Sequence, residues 1–117
     1  MTEDEVLTKE DVLRFLHNID EKLETPIELI AVGGTALVLI NLKPKTKDVD
    51  FLLFSKSDKI IFDSLAKECD PEIKVDTWFG YMVFSTALPI DWFNLCGILD
   101  FSFKKIALYH SIWYLKL

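Results

Sequence analysis

At 117 residues the chain has the length of one domain (residues 1–117), enough to bury roughly two thirds of its unfolded surface. Half of the residues are hydrophobic and 13% aromatic, with a formal net charge of −6. That composition is globular and argues against a nonspecific nucleic-acid binder, whose footprint is basic. Two cysteines, Cys69 and Cys96, form neither a disulfide framework nor a metal-ligand spacing, so reduced core thiols of a cytoplasmic protein are expected. The N-terminal MTEDEV is acidic and lacks the basic region of a secretory signal. No apolar run reaches the roughly 20 residues of a spanning helix, and no membrane association is expected.

In chain order, the first helix is predicted over residues 8–24. Thr8 is its N-cap and Asp11, three residues on, is a weaker relative of the capping box. Val12, Leu13, Phe15, Leu16, Ile19 and Leu23 recur at helical spacing on one face. His17, with no other ligand type near it in the sequence, reads as a solvated or packed imidazole. Pro26 stops the helix, and the apolar, β-branched run 27–32 reads as a strand. Gly33-Gly34 breaks that strand where the backbone turns sharply or lets a ligand approach. A short helix follows over 35–42, closed by Pro44. The next strand, 48–54, alternates so that Asp48, Asp50, Leu52 and Phe54 share one face.

Ser57 is the expected cap of a helix running to about residue 69, with Ile60, Ile61, Leu65 and Ala66 as its buried side and Asp70-Pro71 as its end. Strands are predicted at 73–75, 81–86 and 90–96, with Gly80 marking a turn. The last segment, 102–117, reads as a helix whose apolar stripe is Phe103, Ile106, Ala107, His110, Trp113, Tyr114 and Leu117. Leu108, Ile112 and Leu115 populate its other side. A helix apolar nearly all round is buried in something: a homodimer through this helix is expected, the alternative being a helix tucked wholly into its own core. The order of elements predicts an α/β (α+β) fold with a mixed sheet packed against helices.

The chemistry concentrates in residues 27–54. Two carboxylates on one strand face, roughly 7 Å apart at Cα from the rise per residue, repel and resist joint ionisation unless a cation compensates. Magnesium is commonly held by one or two carboxylates plus substrate phosphates, and N–H groups at a helix start after a glycine turn suit a phosphate. Each half alone has a plain structural reading, as a simple turn or a solvated strand edge.

The motif Val32-Gly33-Gly34-Thr35-Ala36-Leu37, followed by Lys45-Thr46-Lys47-Asp48-Val49-Asp50-Phe51, resembles the nucleotidyltransferase superfamily of DNA polymerase β-like folds. The nearest branch is the minimal one that includes nucleotidyltransferase components of toxin–antitoxin and abortive-infection systems. The resemblance spans residues 27 to about 106, and Lys45 stands where that branch usually has arginine. It implies a nucleotidyltransferase fold, with Mg²⁺ or Mn²⁺ held by Asp48 and Asp50. It also implies an NTP, most simply ATP, on the Gly33-Gly34 amides, with the Thr35 hydroxyl and Lys45 as further phosphate contacts. Within Leu88-Pro89-Ile90-Asp91-Trp92-Phe93, Asp91 matches the family's third carboxylate, with Asp76 and Asp100 as competitors. The implied reaction moves a nucleoside monophosphate to a hydroxyl of a protein or RNA, a toxin or antitoxin partner among them. The alternative is a catalytically degenerate antitoxin-like or regulatory binding module.

Overall fold

The computed structural model describes residues 6–80, 82–83, 86–87 and 96–111. In chain order its elements are β1 (Leu7–Thr8), α1 (Lys9–Lys22), β2 (Ile27–Ala31), α2 (Gly33–Leu39), β3 (Lys45–Thr46), β4 (Val49–Leu53), α3 (Lys56–Cys69), β5 (Val75–Phe79), β6 (Met82–Val83), β7 (Thr86–Ala87), β8 (Gly97–Leu99) and β9 (Ile106–His110). They form a mixed α/β domain with three helices among the described residues. No helix of the described residues is long and apolar enough to cross a membrane.

Helix α1 starts with a complete capping box. The Thr8 hydroxyl accepts the Asp11 N–H at 3.2 Å, and the Asp11 carboxylate accepts the Thr8 N–H at 2.9 Å. The helix buries Val12, Phe15, Leu16 and Ile19. It packs beside α3, which is capped by Ser55 accepting the Asp58 N–H at 3.1 Å. Ser57, the expected cap, lies one residue inside that helix. Of the expected buried side of α3, Ala66 is buried and Leu65 packs against the core, while Ile60 and Ile61 are exposed and Phe62 takes their place. Phe62 sets this phase because it fills the space between Phe15 and Phe51, edge-on to both at centroid distances of 6.5 and 5.6 Å.

The main sheet has the order β5-β4-β2-β9-β8. Strand β2 runs antiparallel to β4 and parallel to β9, β5 runs parallel to β4, and β8 runs antiparallel to β9. Ile27, Leu29, Ala31, Val49, Phe51, Leu53, Ile106 and Leu108 face α1 and α3 in the larger core. Ile30, Val32 and Leu52 form a smaller core on the opposite face with Trp78, Cys96 and Tyr109. Two short pairs, β1–β3 and β6–β7, lie outside this sheet.

Strand β9 corrects the expected terminal helix over 102–117. Ile106–His110 pairs along its whole length with β2 and takes β8 on its other edge. Ile106 and Leu108 face the larger core and Tyr109 packs on the smaller one, while Ala107 is exposed; a short apolar run of this kind imitates an all-round apolar helix. The homodimer expected through that helix loses this part of its basis, and residues 112–117, with Trp113 and Tyr114, lie outside the described residues. The turn leading into β9 is anchored from α1. Buried Asp20 accepts the N–H groups of Lys104, Lys105 and Ile106 at 2.8, 2.7 and 2.9 Å.

Candidate metal centre

Strands β4 and β5 begin alike, with Val49-Asp50 and Val75-Asp76, and their parallel register sets Asp50 beside Asp76. Asp48 precedes β4 by one residue. Each of Asp48, Asp50 and Asp76 offers a carboxylate oxygen, and the three oxygens lie within 4.8 Å of one another. Oxygens on opposite sides of a magnesium ion stand about 4.2 Å apart, twice the 2.1 Å ligand distance. Small side-chain rotations therefore bring all three onto one ion. An all-carboxylate set suits hard cations such as Mg²⁺ or Mn²⁺ better than zinc or copper.

Electrostatics add to the geometry. Asp50 is only 6% exposed, and no hydrogen-bond donor among the described residues reaches its carboxylate. Burial, then the charges of Asp48 and Asp76, push its pKa up to about 7, against the opposing pull of Lys74. The Lys74 ammonium stands 3.9 Å from Asp48 at the exposed side of the cluster. A largely buried carboxylate beside two other acids is the arrangement that a divalent cation relieves.

The glycine turn sits against this cluster. Gly33 opens α2 with φ of 58°, in the left-handed region. A side chain at Gly34 would crowd the Thr46 hydroxyl at 3.2 Å and the Lys43 ammonium at 3.4 Å. Lys43, rather than the expected Lys45, is thus the lysine beside the turn; Lys45 is exposed on β3, opposite Thr8. Val32 caps α2 without a side-chain hydrogen bond. Thr35 is fully buried, and its hydroxyl accepts the Asp50 N–H at 2.8 Å and donates to the Asp48 carbonyl at 3.4 Å. That hydroxyl is engaged inside the fold and is not turned toward a ligand. An open groove of about 400 Å³ borders Asp76 along α3 and β5, with Lys59, Asp63, Lys67 and Thr77 among its walls.

The third carboxylate brought to the pair is Asp76, a competitor in the sequence reading. Asp91 lies outside the described residues. Asp100 accepts the Ser102 N–H at 3.0 Å in a turn after β8 and is not part of the cluster. The repeated Val-Asp at two strand starts was the available signal for Asp76. No protein-family model, curated protein or solved structure matches this chain.

Proposed function

We propose that Asp48, Asp50 and Asp76 bind Mg²⁺ or Mn²⁺, and that this centre serves the transfer of a nucleoside monophosphate from an NTP to a hydroxyl group, on the nucleotidyltransferase fold that the sequence resembles. The single observation that carries the metal is the convergence of Asp48 and Asp76 on the largely buried Asp50. The nucleotide half rests on the resemblance, on the glycine turn with Lys43 beside it, and on the groove next to Asp76. In the transfer, the acceptor hydroxyl loses its proton to solvent, its oxygen forms a bond to the α-phosphorus, the bridge to the β-phosphate breaks, and pyrophosphate leaves. A bound divalent ion supplies charge neutralisation on the phosphates and acidifies the attacking hydroxyl. The acceptor belongs to a protein, such as a toxin or antitoxin partner, or to an RNA.

A second reading has its own support. The phosphate contacts implied by the resemblance are not all assembled, because Thr35 turns inward and Lys45 is exposed on β3. This favours a module that binds metal and nucleotide without turnover. Calorimetry with Mn²⁺, then with ATP in Mn²⁺ or in EDTA, separates the possibilities when paired with a pyrophosphate-release assay. Metal-dependent ATP binding with pyrophosphate release supports transfer, and binding without release supports the second reading. Mn²⁺ affinity equal in wild type, Asp50→Asn and Asp76→Asn refutes the centre itself.

A further inference from the structure

The ladder between β2 and β4 ends at Ala31 opposite Phe51, because the chain leaves β2 at Val32 and turns into α2. The last bond across is the Val32 N–H donating to the Asp50 carbonyl at 3.1 Å. Asp50 has its own N–H still to satisfy, in a buried position where an unpaired donor is costly. The Thr35 hydroxyl accepts it at 2.8 Å. One residue back, the Val49 N–H donates the other way, to the Lys74 carbonyl on the approach to β5 at 3.0 Å. Two residues back, the Asp48 carbonyl accepts from the Thr46 hydroxyl at 3.0 Å and from the Thr35 hydroxyl at 3.4 Å. Thr35 and Thr46 are 0% and 5% exposed, so water does not replace either contact. Gly34 belongs to the same device, since a side chain there would press on the Thr46 hydroxyl.

We infer that Thr35 and Thr46 are positioning residues for the metal centre, two buried hydroxyls that clamp the backbone of residues 48–50 so that Asp48 and Asp50 meet Asp76 at one ion. This rests on the metal reading above and specifies what holds that site in shape. The clamp acts on the segment that carries two of the three carboxylates, where the regular ladder has run out. Neither hydroxyl bonds a carboxylate oxygen. Their influence passes through the main chain, as the groups supporting metal ligands in other sites act one bond removed. The arrangement also explains why a threonine stands directly after the glycine turn: its position on the first turn of α2 puts the hydroxyl against the Asp50 amide.

Thr35→Val keeps the side-chain shape and removes the hydroxyl, while Thr35→Ser keeps the hydroxyl and removes a methyl. Mn²⁺ dissociation constants from calorimetry or electron paramagnetic resonance, measured beside melting temperatures, test the inference. Thr35→Val is expected to bind Mn²⁺ about tenfold to a hundredfold more weakly, and Thr35→Ser to bind within about threefold of wild type even if its melting temperature falls. Wild-type affinity in Thr35→Val, whatever its melting temperature, overturns the positioning role and leaves the metal centre standing. Should Thr35→Val fail to fold, Thr46→Val decides in the same way, with weakened Mn²⁺ binding expected and unchanged binding overturning the role. A wild-type protein that binds no Mn²⁺ removes the metal reading itself, and the positioning role with it.

Discussion

Replacing Asp50 with asparagine is expected to make the metal-free protein more stable at pH 8. The Asp50 pKa is pushed up to about 7 from an ordinary 3.8, by burial first and by Asp48 and Asp76 next. The folded state therefore keeps a proton that the unfolded chain releases between about pH 4 and pH 7. Stability from this group is fully present below pH 4 and is lost as the pH rises through 7. A shift of roughly 3 units corresponds to about 4 kcal/mol at 1.36 kcal/mol per unit. Asparagine has nearly the same shape and no charge, but its buried amide gives back about 1–2 kcal/mol. A net gain of about 2–3 kcal/mol follows for Asp50→Asn over wild type at pH 8 in EDTA. Urea denaturation at pH 5 and pH 8, with and without EDTA, measures it. Wild type should lose stability between the two pH values and recover it when Mn²⁺ is added, while Asp50→Asn should do neither. If Asp50→Asn is the less stable protein at pH 8 in EDTA, the carboxylate has a stabilising partner at that position and the argument for the cation fails.

Two further substitutions probe the frame that carries the site. Asp20→Ala should destabilise by about 3 kcal/mol or more, since it leaves the N–H groups of Lys104, Lys105 and Ile106 without their acceptor. Burial raises the Asp20 pKa, but those three donors outweigh it and hold the group below its ordinary value. Its stabilisation is thus present above about pH 4 and lost as the pH falls through the lowered value, so the acid limb of a denaturation series should flatten in Asp20→Asn. Phe62→Ala should cost about 3–5 kcal/mol in chemical denaturation, because Phe62 is fully buried against Phe15 and Phe51 where α1, α3 and β4 meet.

Local signals carried much of the fold. Thr8 and Asp11 announce α1 because a capping box is made within four residues, and Gly33-Gly34 separates β2 from α2 because the turn chemistry is confined to the turn. Asp48 and Asp50 converge because they stand two residues apart at the entry of β4, a closeness that needs no information from elsewhere. Other features failed for a common reason. Ile60 and Ile61 were as apolar as Phe62, and only the aromatic contacts with Phe15 and Phe51 decide which side of α3 turns inward. Ile106–His110 is rich in apolar residues because Ile106 and Leu108 face the larger core and Tyr109 packs on the smaller one, with Ala107 exposed between them. Periodicity alone cannot distinguish that from a buried helix.

The site divides along the same line. Its first two carboxylates are two residues apart in sequence, and the entry into β4 brings them together. The third arrives through pairing with another strand, and the register of β4 with β5 is a property of the folded sheet. Asp91, which the resemblance favours, lies outside the described residues, and Asp76 between Val75 and Thr77 reads in sequence as the end of a strand. Yet a parallel pair aligns equivalent positions, so two strands that both begin Val-Asp put their acids side by side whenever they pair in that register. Thr35 makes the complementary point. Beside a glycine turn its hydroxyl invited a ligand reading, but the ladder of β2 ends one residue before Asp50, and the amide left over there is what claims it. Side-chain type nominated the residues of this site; backbone hydrogen bonding assigned them their partners.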